Sequence, residues 1–190
     1  MPDADLSLAV PSVFFGAVGT AGQRCTSTRR LYLHHKIAPE FLDRLQKLYS
    51  TVIPGDPLVE DTLLGPMHTR AGIDIYTNAI QYLRTMDAEI LTGGQKYEDA
   101  PFDAGNFVQP TIALPKSVDP TDRVWKTETF APILNVAVFD DLQQAIEWNN
   151  AVPQVQLPDV FSVEEAEFIL PIIPCIRDYQ AVFGREISEI

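Results

Sequence analysis

The sequence has little positive charge, few cysteines and no long apolar run. Its 190 residues carry 14 lysines and arginines against 26 aspartates and glutamates, which gives a net charge of -12. Nucleic acids and anionic membranes are bound by clustered lysine and arginine, so this balance disfavours both kinds of partner. No apolar stretch reaches the roughly 20 residues that span a bilayer. We therefore expect no nucleic-acid partner and no membrane partner.

The two cysteines, Cys25 and Cys175, and the three histidines limit the redox and metal chemistry of the chain. Cysteines so far apart do not make a disulfide framework, and no spacing of His and Cys is typical of a zinc site. We expect a reducing compartment and no bound metal. The first residues are acidic and lack the basic region of a secretory signal peptide, so we expect no such peptide.

The pattern of apolar residues indicates alternating strands and helices. The predicted helices cover 11–18, 39–52, 69–86 and 142–149, and the predicted strands cover 30–34, 89–92, 107–114 and 133–139. Thr69 and either Asp140 or Asp141 are expected to cap helices. Pro110 places the third strand at an edge or a bulge, because proline cannot donate to a sheet. The alternation predicts an α/β fold with an open, mostly parallel sheet and flanking helices.

Cys25 lies in the least ordinary stretch of the chain. Gly19 and Gly22 precede it, and Arg29 and Arg30 follow it. Glycine lets the backbone bend or approach a ligand closely, and cationic neighbours favour the thiolate, which is the nucleophilic form of cysteine. On residue type alone, a lone cysteine is more often a small buried apolar residue. Composition and spacing leave both interpretations open.

Two motifs resemble those of the aldehyde dehydrogenase superfamily. Residues 18–26 (VGTAGQRCT), the cysteine motif, are similar to its active-site cysteine signature, especially in the antiquitin branch of α-aminoadipic semialdehyde dehydrogenases. Residues 125–132 (WKTETFAP), the glutamate motif, have a glutamate two residues before a phenylalanine and four before a proline, as the family does. The resemblance covers about four fifths of the chain and implies part of an aldehyde dehydrogenase catalytic domain over 1–154.

The resemblance implies a role for four residues in NAD-dependent oxidation of an aldehyde to an acid. Cys25 attacks the aldehyde carbon and carries the thioester, and its backbone N–H helps to hold the oxyanion. Glu128 binds the nicotinamide-ribose hydroxyls of NAD, and Phe130 lies near the nicotinamide. Arg24 pairs with a substrate carboxylate, which fits α-aminoadipic semialdehyde in lysine catabolism. The alternatives are a surface glutamate, a core phenylalanine and a structural salt bridge of Arg24.

The other charged candidates are given structural or surface positions. Arg29 and Arg30 lie at the edge of a predicted strand and are expected to be structural. His34, His35 and His68 show no ligand spacing and are expected at the surface. The family resemblance further implies a cytosolic or mitochondrial protein.

The resemblance also predicts what this chain does not carry. The family's cofactor half, with its phosphate-binding turn, its oxyanion asparagine and its general-base glutamate, has no counterpart here, so we expect little or no activity from the chain alone. Two alternatives are an interaction fragment that docks on full-length aldehyde dehydrogenase subunits and a functionless truncated product. Residues 155–190 match nothing in the family and are predicted to be a divergent tail with a short helix over 164–170. A frameshift, an intron read-through or an alternative exon explains this tail, and so does a lineage-specific docking segment.

Overall fold

The computed structural model describes residues 1–60, 62–99, 101–102 and 105–152, and in this part of the chain four strands form one sheet. The strands are β1 (Arg30–His34), β2 (Glu89–Thr92), β3 (Thr111–Leu114) and β4 (Ile133–Phe139), in the spatial order β1-β4-β3-β2. β4 is parallel to both β1 and β3, and β2 is antiparallel to β3. Two of the three pairings are therefore parallel, and the predicted open, mostly parallel α/β sheet is confirmed.

The helices flank this sheet and begin at side-chain caps in most cases. They are α1 (Leu6–Val18), α2 (Ala38–Ser50), α3 (Arg70–Thr85), α4 (Arg123–Lys126) and α5 (Leu142–Asn150). The predicted caps are confirmed: Thr69 accepts from the Gly72 N–H and Asp141 accepts from the Gln143 N–H. The single turn α4, capped by Asp122, was not predicted because one turn shows no periodicity. Within the described residues, no helix has the length and apolar character needed to cross a membrane.

The start of α1 and the place of β3 differ from the predictions. α1 begins at Leu6 rather than at residue 11, because Asp5 accepts a hydrogen bond from the Ser7 N–H at 2.8 Å and caps the helix there. β3 begins at Thr111, after Pro110, and lies between β4 and β2, so the edge position, one of the two predicted alternatives, was wrong. Proline is compatible with this interior strand because it precedes the ladder, whose first donor is the Thr111 N–H to the Pro132 carbonyl at 2.8 Å.

The two faces of the sheet bury different clusters. In the pair formed by β1 and β4, Tyr32 lies opposite Ala137, while Leu31 lies opposite Val136. Successive side chains of a strand point to opposite faces, so these two pairs face opposite sides. Val136 belongs to the main core, which includes residues of α1, α2 and α3, whereas Tyr32 and Ala137 pack with Trp125 in a smaller cluster.

The topology brings the two sequence motifs together. The cysteine motif leads through residues 27–29 into β1, and the glutamate motif ends at Pro132, directly before β4. β1 and β4 are adjacent and parallel, with Arg30 paired to Asn135. Parallel neighbours begin at the same edge of a sheet, so the segments that precede them lie side by side.

His34, at the end of β1, is buried rather than at the surface, which corrects the prediction for this residue. Only 8% of its surface is exposed, its ring lies 4.3 Å from that of His35, and its Nδ1 accepts a hydrogen bond from the Lys36 N–H at 3.2 Å. A protonated Nδ1 cannot accept this bond. Burial, with smaller contributions from His35, Lys36 and the N-terminus, lowers the pKa of His34 below 6.5, and Asp140 raises it by less.

We expect the free energy of unfolding to fall as the pH drops below about 6.5, because the unfolded chain then binds a proton that folded His34 accepts only at lower pH. Above that pH the imidazole is neutral in both states and contributes no pH dependence. Urea unfolding at about pH 7.5 and about pH 5.5 measures the difference. The difference in the free energy of unfolding between the two pH values should be smaller in His34→Asn. It should be unchanged in His68→Asn, because His68 is exposed. An equal loss in wild type and His34→Asn contradicts the assignment.

Candidate active site

Cys25 lies on an exposed turn between α1 and β1. The chain leaves α1 through a 3₁₀ turn (Gly19–Gly22), in which Thr20, Ala21 and Gly22 all have positive φ. A turn then runs from Arg24 to Ser27, with the Ser27 N–H donating to the Arg24 carbonyl and the Ser27 hydroxyl accepting from the Arg24 N–H, both at 3.1 Å. This arrangement places Cys25 on the surface, where a small electrophile can reach its thiol.

Gln23 connects the cysteine motif to a distant loop. Its side-chain oxygen accepts from the His68 N–H at 2.8 Å, and its side-chain nitrogen donates to the Thr20 carbonyl at 3.2 Å. The same nitrogen lies 3.5 Å from the Pro66 carbonyl. Gln23 therefore fixes the chain two residues before the nucleophile candidate. The sequence places Gln23 in the cysteine motif but gives no signal for its role, since its partners lie far along the chain.

Arg29 lies beneath the Cys25 turn and is buried, with 6% of its surface exposed. Its Nη2 donates to the Arg24 carbonyl at 2.8 Å, and its Nη1 lies 3.3 Å from the Ser27 carbonyl and 3.5 Å from the Cys25 carbonyl. The pKa of Arg29 is lowered, mainly because the guanidinium is buried. The charge of Glu128 opposes this shift. Smaller effects come from Arg30, which lowers the pKa, and from Cys25, which raises it. The structural position predicted for Arg29 is confirmed, and its contacts reach into the candidate site.

The glutamate motif meets the cysteine motif at Arg29. Glu128 Oε1 lies 3.2 Å from Arg29 Nη1, and a third of the Glu128 side chain stays exposed. The guanidinium lies 4.6 Å from the centre of the Phe130 ring, which is 42% exposed. Phe130 has a φ of 45°, an uncommon value for a bulky residue. Sequence reasoning selected Cys25, Glu128 and Phe130, and the structure brings all three to one guanidinium.

A second contact joins the backbones of the two motifs. Gly22 has a φ of 68°, and a methyl group added to it would overlap the Ala131 carbonyl and lie 2.8 Å from the Pro132 nitrogen. Ala131 is itself buried. The absence of a side chain at Gly22 therefore allows the loops before β1 and β4 to pack directly against each other.

Arg24 points away from Arg29 and toward the end of α1. Its guanidinium lies 4.9 Å from the centre of the Phe15 ring, and its Nη2 lies 3.4 Å from the Phe15 carbonyl. Phe15 is exposed, whereas Arg24 is half-buried and its Nε is buried without a hydrogen-bond partner among the described residues. The described contacts of this side chain do not include a carboxylate, and the proposed pairing with a substrate stays a prediction.

A small cavity lies under the Glu128 loop. Its volume is about 10 Å³, and its walls include Arg30, Trp125, Asn135 and Ile133. Ligand pockets for small molecules measure about 300–1,000 Å³, so this cavity is far too small to hold a substrate. Cys25, Glu128 and Phe130 instead present exposed groups on an open face of the described residues. In this part of the chain, no group of three or more His, Cys, Asp or Glu residues could hold a metal ion.

A family model described as "Aldehyde dehydrogenase family" matches residues 1–169 of the chain. Among curated proteins, aldehyde dehydrogenase family 7 member A1 of Pisum sativum is 46% identical over 162 residues, which are 85% of this chain and 30% of the relative. The α-aminoadipic semialdehyde dehydrogenase of Mus musculus is 44% identical over 160 residues, 84% of this chain and 29% of the relative. The chain thus spans about 30% of the length of these relatives.

Solved structures show the same likeness. The betaine aldehyde dehydrogenase of Staphylococcus aureus in complex with NAD+ is 25% identical and superposes with a TM-score of 0.84. This match covers 90% of the chain and 34% of the solved one. The likeness therefore extends over nearly the whole chain and about a third of the larger enzyme.

Proposed function

The chain belongs to the aldehyde dehydrogenase family, and on that premise we propose that it carries the nucleophile and part of the cofactor site of an NAD-dependent aldehyde oxidation. One observation carries the proposal: the cysteine and glutamate motifs meet at the edge where β1 and β4 begin, joined by Arg29. Turnover then requires a protein that supplies the remaining cofactor-binding and catalytic groups. This protein is either a longer form of this chain or a full-length subunit with which the chain associates.

Cys25 supplies the nucleophile in this proposal. Its thiolate adds to the aldehyde carbon, the C–S bond forms, and the π electron pair moves to the oxygen. The backbone N–H of Cys25 helps to hold that oxyanion, an interaction worth about 2.7–4 kcal/mol per donor in enzymes that use one. NAD, when bound, supplies the acceptor for the hydride of the aldehyde carbon. Cys25 then holds the acyl group as a thioester until water releases the acid and restores the thiolate.

Glu128 and Phe130 fit the ribose and nicotinamide of NAD. A carboxylate has two oxygens that accept from vicinal hydroxyls, and the Glu128 side chain is partly exposed. The exposed Phe130 ring lies beside it, over the same guanidinium, and offers a flat apolar surface to a planar ring. These residues therefore suit the part of the cofactor that the resemblance assigns to them.

The presence of Arg24 beside the nucleophile favours a substrate that carries a carboxylate in addition to its aldehyde group. The relative from Mus musculus is named α-aminoadipic semialdehyde dehydrogenase, and such a semialdehyde carries an amino-acid end. Arg24 is half-buried and next in sequence to the nucleophile, and a guanidinium can bind a carboxylate through two hydrogen bonds. We propose α-aminoadipic semialdehyde as the substrate.

Replacing Glu128 with glutamine is expected to weaken NAD binding about tenfold or more, because hydrogen bonds to a charged group contribute about 1.5–3 kcal/mol. Titration calorimetry of the purified chain with NAD measures the change in Kd. Glu98→Gln, which removes one charge from an exposed loop residue, is the matched control and should bind like wild type. Equal binding of NAD by wild type and Glu128→Gln contradicts the cofactor role.

A further inference from the structure

Arg29 contacts three backbone carbonyls around the nucleophile. They belong to Arg24, Cys25 and Ser27, at 2.8, 3.5 and 3.3 Å. A guanidinium can do this because its N–H donors form a rigid planar fork, whereas a lysine ammonium donates from a single point. The carbonyls bracket Cys25 on both sides, so the position of Arg29 determines how the Cys25 peptide is oriented.

The same guanidinium holds the groups proposed to bind the cofactor. It lies 3.2 Å from Glu128 Oε1 and 4.6 Å from the centre of the Phe130 ring. Phe130 keeps a positive φ, a strained conformation for a bulky residue that persists only where its surroundings hold it. The contact between the ring and the guanidinium is one such restraint.

The neighbouring Arg30 has different partners, so the contacts with the Cys25 turn are specific to the position of Arg29. Arg30 is half-buried beside the same cavity, but its Nη1 donates to the Trp125 carbonyl at 2.9 Å. Among the described residues, its side-chain hydrogen bond therefore goes to the end of α4 and not to the Cys25 turn. Arg30 can therefore serve as a matched control for substitutions of Arg29.

We propose that Arg29 is a positioning residue that sets the Cys25 peptide and the Glu128 carboxylate in one fixed relative geometry. This inference rests on the proposed function, because it assigns Arg29 to the same site. Arg29 does not touch the reacting atoms in this role. It acts through the orientation of the Cys25 backbone N–H, the proposed donor to the oxyanion.

The test compares two reactions of Cys25 in the purified full chain, without NAD and without aldehyde. With p-nitrophenyl acetate, the thiolate adds to the ester carbonyl, an oxyanion forms, and nitrophenolate leaves with the electron pair of the broken C–O bond. With iodoacetamide, the thiolate displaces iodide from the CH₂ carbon, and no oxyanion forms. Both reactions consume the thiolate, so the ratio of their rate constants reports the oxyanion geometry. Mass spectrometry of the tryptic peptide that begins at Cys25 follows both modifications, and this peptide ends at residue 29, or at Arg30 in Arg29→Gln.

In Arg29→Gln we expect the ratio of acylation to alkylation to fall about tenfold, since removing an oxyanion donor altogether costs 10²–10³-fold in enzymes and here the donor is only displaced. Arg29→Lys keeps the charge but loses the fork, and its ratio should fall similarly. Arg30→Gln should keep the wild-type ratio even if it lowers the melting temperature. Melting curves establish that each variant is folded at the assay temperature.

An unchanged ratio in a folded Arg29→Gln, with only a lower melting temperature, overturns the proposal and leaves Arg29 a purely stabilising residue. If Arg29→Gln does not fold, Arg29→Lys decides in the same way. A wild-type Cys25 that is alkylated but never acylated overturns both this inference and the proposed nucleophile. Equal NAD binding by wild type and Glu128→Gln contradicts the proposed cofactor site alone, because the ratio is measured without NAD.

Discussion

Replacing Cys25 with alanine is expected to lower thioester formation at this site by about 10³-fold or more, because the sulfur is the atom that bonds to the acyl carbon. The same loss should appear in NADH formation from an aldehyde wherever the chain contributes the nucleophile. Cys25 is exposed on its turn, and exposed substitutions usually change stability by no more than about 0.5 kcal/mol. The variant should therefore lose its chemistry while it keeps its fold.

The measurement needs two readouts and one matched control. Release of nitrophenolate from p-nitrophenyl acetate reports acylation, and NADH absorbance reports turnover with α-aminoadipic semialdehyde. The turnover assay is run on the chain alone and on the chain mixed with a full-length relative. Cys175→Ala removes the other cysteine of the sequence and should leave acylation of peptide 25–29 unchanged. Equal nitrophenolate release by Cys25→Ala and wild type would show that another group is the nucleophile.

Local patterns were enough to predict most of the fold, and they were also enough to propose the two motifs of the candidate site. The bounds predicted for β1, β2 and β4 match the structure, because each strand is a short β-rich run between turn residues. Thr69 was identified as a cap because the relation between a cap and its helix is local. Cys25 and Glu128 were selected from a family resemblance in their own short motifs, which needs no knowledge of the fold.

Contacts between distant segments could not be predicted in the same way. The strand order β1-β4-β3-β2, which brings residues 29 and 128 together, depends on how the whole sheet packs. Arg29 was expected to be structural, but its link to Glu128 has no local signal, and the same holds for the bond between Gln23 and His68. The surface position predicted for His34 was wrong for the same reason. The burial of this residue comes from packing around the end of β1, where its ring meets Phe139 edge-on.

The candidate site lies at the edge of the sheet where β1 and β4 begin. Arg29 holds the two motifs together through its side chain, and Gly22 allows them to meet through their backbones. These two residues act differently. Arg29 determines orientation, whereas Gly22 determines how closely the loops can approach. A substitution at Gly22 should therefore affect stability and chemistry together.

Replacing Gly22 with alanine is expected to destabilise the fold by about 3 kcal/mol, the largest stability effect predicted for this site. A left-handed conformation costs a residue with a side chain about 1–3 kcal/mol, and overpacking adds about 1–3 kcal/mol. The added methyl would overlap the carbonyl of Ala131 and lie 2.8 Å from the Pro132 nitrogen. Both are backbone atoms directly before β4, so relief requires the loops to separate rather than a side chain to rotate.

Urea unfolding of the wild type and of Gly22→Ala measures the destabilisation, and Gly65→Ala is the matched control. A methyl at Gly65 would meet only the Pro57 ring, at 3.5 Å, which is an ordinary contact. Its expected effect is within about 0.5 kcal/mol, or slightly stabilising because alanine restricts the unfolded chain. Acylation of Cys25 should fall in folded Gly22→Ala, since separating the loops disturbs the contacts through which Arg29 orients the Cys25 peptide. If the two alanine variants are equally stable, the loops before β1 and β4 do not pack as closely as the structure shows, and the contact that joins the two motifs is not part of the fold.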